Sequence, residues 1–115
     1  MATDVRVVLV TVPAGSDKEM GKVGELLSRT LVEERLAACV NRIPNLTSTY
    51  RWQGKIETDA EELLLIKTTA RHVQRLTARV KELHPYDVPE VLVLTVGSGL
   101  GAYLSWVRQS CQNNP

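Results

Sequence analysis

The segment His84-Pro85-Tyr86-Asp87-Val88-Pro89-Glu90 sets an imidazole close in sequence to two carboxylates. Imidazole with carboxylate is a donor set for copper or zinc. The spacing is neither a His-Glu-x-x-His pair nor a Cys/His cluster, so the motif by itself selects no metal. His84 has a second reading. It ends a helix, where a cation meets the last free carbonyls and the negative end of the helix dipole. The other histidine, His72, stands beside Arg71 and Arg75 early in a helix and is read as solvent-facing.

Other chemistry is harder to place. No hydroxyl residue has a histidine neighbour in a recognisable nucleophile motif. No set of base, nucleophile and oxyanion donor can be named, so a non-enzymatic protein is expected. Gly97, Gly99 and Gly101 follow a strand and precede a helix, where they would offer amides to an anion. Their spacing is neither a dinucleotide fingerprint nor a Walker loop, and they are read as a plain loop. Cys39, in the run Leu36-Ala37-Ala38-Cys39-Val40, reads as a small buried hydrophobe, and Cys111, in a polar tail, as an exposed free thiol. Neither belongs to a Cys-x-x-Cys pair, and two free thiols fit a reducing compartment. Lys67 follows Leu63-Leu64-Leu65-Ile66, which places it at an exposed strand end or in a polar interface pocket. Tyr50, Trp52 and Tyr86 are read as packing at hairpin and subunit contacts, or as the lining of a ligand cleft together with Lys67 and Glu90.

The elements that must position these residues are legible from the pattern. The 115 residues suit one domain, residues 1–115, with 112–115 as a frayed tail. Hydrophobic residues make up 43% and charged residues 23%, a globular profile. The net charge of +1, with no basic element, argues against sequence-independent nucleic-acid binding. No apolar stretch is long enough to span a bilayer. Asn45-Leu46-Thr47 matches a glycosylation sequon, read as coincidence. Met1-Ala2-Thr3-Asp4 leads directly into a strand-like run, so a cytoplasmic location is expected, with an organelle such as the chloroplast if a transit peptide has been removed.

Val5 to Val12 is almost continuously apolar and β-branched, which predicts a strand buried on both faces. Ser16 and Glu19 have the spacing of a capping box ahead of an amphipathic helix over about 17–34. Leu36 to Trp52, the turn Gln53-Gly54 and Lys55 to Thr68 predict a long hairpin, bent near Pro44 and near Asp59-Ala60. Val73, Leu76, Val80 and Leu83 form the stripe of a helix over about 70–83, ended by Pro85. Val91 to Val96 reads as a buried strand and Ala102 to Arg108 as a short terminal helix. The order is βαββαβ: an α+β, ferredoxin-like sandwich with both long helices on one face of an antiparallel sheet. The other face then needs a cover, from the terminal helix or another subunit.

Glu34-Arg35-Leu36-Ala37-Ala38-Cys39-Val40-Asn41, Ile43-Pro44, Ser48 to Lys55, Ile66-Lys67-Thr68, His84 to Glu90 and Tyr103-Leu104-Ser105-Trp106 together resemble the CutA divalent-cation tolerance family. The resemblance runs from about Val8 to Val107. It implies a ferredoxin-like fold, an interlocked homotrimer and binding of copper(II) or other divalent cations, with no required cofactor. Of the donors the resemblance implies, a histidine position falls on His84, whereas a second histidine position is Leu83 here and a first-strand cysteine position falls near Val10; Glu90 stands at the glutamate of the family's Pro-Glu block and is expected beside His84 at the metal. Weak rather than tight copper binding is therefore expected. Two alternatives stand beside this. One is a regulatory module resembling the trimeric PII-type proteins, binding a small anion between subunits at Tyr50, Trp52, Lys67, Tyr86 and Glu90. The other is a scaffold or anchoring role with an unknown protein partner.

Overall fold

The computed structural model describes residues 2–14 and 20–112. Four strands, β1 (Val5–Pro13), β2 (Cys39–Trp52), β3 (Lys55–Thr69) and β4 (Leu92–Thr95), form one antiparallel sheet in the order β2-β3-β1-β4. Three α-helices, α1 (Val23–Glu33), α2 (Val73–Leu83) and α3 (Gly101–Ser110), complete the expected βαββαβ plan and its terminal helix. Short 3-10 turns, Met20–Lys22 and Ala70–His72, precede α1 and α2. The capping box at Ser16 and Glu19, the start of the first predicted helix and tail residues 113–115 lie outside the described residues.

The core lies between the sheet and the two long helices. Val8, Val10 and Val12 of β1 and Leu64 and Ile66 of β3 face Leu27 and Leu31 of α1 and Leu76 and Val80 of α2, all buried. Alternation puts Val7, Leu9, Leu63, Leu65 and Lys67 on the opposite face, where each is only half-buried. Helix α3 covers one end of the sheet: Val107 and Cys111 pack with Val5 and Ala38.

The hairpin turns on Gln53 and Gly54, with φ of 51° and 80°. Two successive left-handed residues make the turn whose twist matches paired strands. The predicted bend at Pro44 is present as a break in register between Ile43 and Leu46, where Asn45 takes φ 64°. The predicted second bend is absent: β3 pairs continuously through Asp59 and Ala60, because the one extra residue lies in β2.

Four burial expectations are corrected. β4 is an edge strand, and Leu92, Val93 and Leu94 are 54%, 42% and 49% exposed in the single chain. His72 is buried rather than solvent-facing, and its Nδ1 lies 2.6 Å from the Thr69 hydroxyl. Cys111 is fully buried under α3, whereas Cys39 is half-exposed, 3.6 Å from the Tyr103 hydroxyl. Cys111 ends α3 and packs with Val5, Ala38 and Val107, which buries it.

Candidate functional site: an acidic, aromatic cleft

After α2 ends, Pro85 and Pro89 stiffen the connection to β4, and Lys81 Nζ donates to the Asp87 carbonyl. His84, the last residue before this connection, is buried and fixed at both ring nitrogens. Its Nδ1 accepts the Tyr86 backbone N–H at 3.1 Å, and Nε2 meets the Thr11 carbonyl at 2.8 Å. An amide only donates and a carbonyl only accepts, so Nε2 carries the proton and Nδ1 a lone pair. The imidazole is thus a strut that ties the α2–β4 connection to β1. Bonded this way the ring is neutral, unlike the helix-capping cation of the second sequence reading.

The strut sets Tyr86. Its ring lies 4.6 Å from the imidazole, and its hydroxyl donates to the Glu61 carboxylate at 3.0 Å. Glu61 opens the buried part of β3 and is only 5% exposed. On the hairpin, the Tyr50 hydroxyl donates to the Asp59 carboxylate. That bond pushes the Tyr50 pKa up to about 12, and burial followed by the Glu61 contact raises that of Tyr86. Both phenols therefore stay protonated donors at neutral pH. Desolvation, and then the charge of Glu61, raises the pKa of Glu90.

Tyr50, Trp52, Glu61, Tyr86 and Glu90 line a common cavity of about 600 Å³, together with Thr11. Asp87 adds a third carboxylate, and no Lys or Arg is among the lining residues described. The structure thus brings together Tyr50, Trp52, Tyr86 and Glu90 of the sequence-predicted set. His84 stands behind them as a support. Lys67 stands apart, on the open sheet face, with its Nζ donating to the Asn41 side chain. Glu61 was missed by sequence reasoning. Its signal was a carboxylate at the mouth of an apolar strand, on the same alternation as Leu63 and Leu65.

The donor set is one of hard oxygens. Among the described residues, no three His, Cys, Asp or Glu side chains converge as a metal cluster. Two carboxylates in one cleft can hold a divalent cation loosely, while a copper(I) site needs soft donors that lie elsewhere.

Comparison with known proteins supplies the setting. Residues 7–110 match the family described as CutA1 divalent ion tolerance protein. A "Divalent-cation tolerance protein CutA" from Thermus thermophilus is 50% identical over 104 residues, covering 90% of this chain and 95% of that protein. Its solved structure superposes with a TM-score of 0.84 over 92% of this chain and 97% of that one. A chloroplastic CutA protein of Arabidopsis thaliana is 46% identical over 93% of this chain, which spans 56% of that longer protein. A structure described as the PII-like protein CutA from Nostoc, in apo form, superposes with a TM-score of 0.82 at 34% identity over 93% of this chain and 97% of that one. With the βαββαβ element order and a match along nearly its whole length, the chain belongs to the CutA1 divalent ion tolerance family.

Proposed function

We propose that this protein is a non-enzymatic, homotrimeric cation-tolerance protein that binds divalent cations, copper(II) among them, weakly at the cleft. Glu90 and Glu61 supply the oxygen donors, and His84 holds Tyr86 and the connection in place. The observation that carries this reading is that Glu61, Asp87 and Glu90 line one cleft that no described Lys or Arg lines. A bound cation favours the ionised carboxylate and so offsets the raised pKa of Glu90. Direct ligation by His84 would require giving up its bond to Thr11 or to Tyr86. The trimeric state is the one the family resemblance implies, and the exposed apolar strand β4 is the surface that would benefit. Two free thiols suit a reducing compartment such as the cytoplasm, and among the described residues no helix is long and apolar enough to cross a membrane.

Calorimetric titration with copper(II) tests the cleft. Wild type is expected to bind weakly, and Glu90→Gln to lose about tenfold or more, equivalent to about 1.4 kcal/mol. His84→Ala is expected to lower stability by about 1–3 kcal/mol, since it orphans a carbonyl and an amide. Unchanged affinity in Glu90→Gln would remove the cleft carboxylate from the reading. Loss confined to His84→Ala would move the metal to the imidazole.

A second reading, a PII-like regulatory module, draws on the aromatic lining of Tyr50, Trp52 and Tyr86 around a cavity of small-molecule size. With Lys67 elsewhere, an anionic ligand in this cleft would need cations from another subunit. A ligand-induced rise in melting temperature that survives Lys67→Ala would favour a neutral or cationic ligand instead.

A further inference from the structure

A second cavity, of about 590 Å³, opens at the other end of β1, beside Asp4 and Thr69. Its chemistry is the reverse of the cleft. Arg71, Arg75 and Arg108 line it, against the single carboxylate of Asp4. Asp4 is committed to Arg108, at 3.2 Å. Arg71 and Arg75 form no salt bridge among the described residues. They stand one helical turn apart, where like charges repel. Two unopposed guanidiniums on one wall make an arrangement that an anion relieves. Thr69, at the helix start, turns its hydroxyl to His72 Nδ1 and makes no cap to the first amides. Thr69, Arg71 and His72, at the start of the helical run into α2, all line this cavity.

We propose that this cavity is a binding site for a small phosphate-bearing anion, gripped by Arg71 and Arg75 with Arg108 at its rim. Guanidinium forks match phosphate oxygens in pairs, and a dianion balances two charges that the chain leaves uncompensated. The volume fits a small molecule rather than a polymer. The site is independent of the cation reading. Thr11, at the cleft, lies six strand residues beyond Val5, about 20 Å along β1.

The test uses metal-stripped full-length protein and inorganic pyrophosphate, with citrate at matched ionic strength as comparator. Binding is followed by calorimetry and by amide NMR shifts. Wild type is expected to bind pyrophosphate saturably with Kd below about 1 mM. Shifts are expected at Thr69, Arg71 and His72. Arg71→Gln/Arg75→Gln is expected to weaken binding about tenfold or more. Arg75→Lys should lie between, keeping charge but losing the fork. Arg29→Gln, which removes the same charge from an exposed pair with Glu33, should match wild type. Non-saturable binding, equal affinity in the double variant, or shifts at other residues would overturn the proposal. Citrate binding as tightly as pyrophosphate would overturn the phosphate assignment. Should the double variant fail to fold, the wild-type shifts and Arg75→Lys still decide.

Discussion

His72 is closed off from solvent, bonded to Thr69 and flanked by cations. Burial, aided by Arg71 and Arg75, holds its pKa below the ordinary histidine value. Arg108 and Cys111 approach from α3 and its end, and the Asp4 carboxylate opposes them from the start of β1. The unfolded chain then takes up the proton more readily than the folded one. Stability is untouched above the unfolded pKa of about 6.5, falls as pH drops through it, and levels off below the folded pKa. Urea unfolding of wild type and His72→Gln between pH 7.5 and 5 should show the wild-type advantage shrinking. Parallel curves would exclude the effect. This residue also shows where sequence reading stops. Cys111 is buried as the continuation of the α3 stripe, on which Leu104, Val107 and Cys111 recur at helical spacing. Extending the stripe past Arg108 to residue 111 would have buried the right thiol. No local pattern could have turned Cys39 outward, because its neighbours are apolar and its exposure depends on the open face.

At the scale of elements, the hairpin carries the cleft. The register break at Pro44 and Asn45 puts Leu46 opposite Glu61 and so sets which residues of β2 reach the carboxylate. Asn45 tolerates its left-handed backbone because its short polar side chain does so at little cost. Asn45→Gly should leave stability nearly unchanged, while Asn45→Val should cost about 1–2 kcal/mol, read by chemical denaturation. Equal stability of the two variants would mean that the strand re-registers instead. The hairpin, its turn and the helices were legible because period and turn chemistry are local. Strand β4 was not. Its apolar run promised burial on both faces, and an edge strand obtains that only from a neighbour outside its own sequence. The cleft was half legible for a similar reason: the aromatic residues and Glu90 announced themselves, whereas Glu61 required the register.

For the whole molecule, the open face is the dominant fact. Leu92 and Leu94 at the edge and Tyr103 and Trp106 on α3 are each more than two-fifths exposed. Patches of this kind mark association surfaces. Sedimentation equilibrium is expected to give three chain masses for wild type, and Leu94→Asp, which sets a charge at that surface, is expected to shift the protein toward monomer. A monomeric wild type would rule out the assembly. The same strand has a consequence in time. β4 joins the sheet by pairing with β1, from Arg6 opposite Thr95 to Leu9 opposite Leu92, which closes a loop over most of the chain. The β2–β3 hairpin closes across two residues. Loop closure makes the second early and the first late. During synthesis, β1 must therefore wait, unpaired on one side, until β4 has followed the hairpin and α2 out, and the edge through which copies would join is the last strand of the sheet to form.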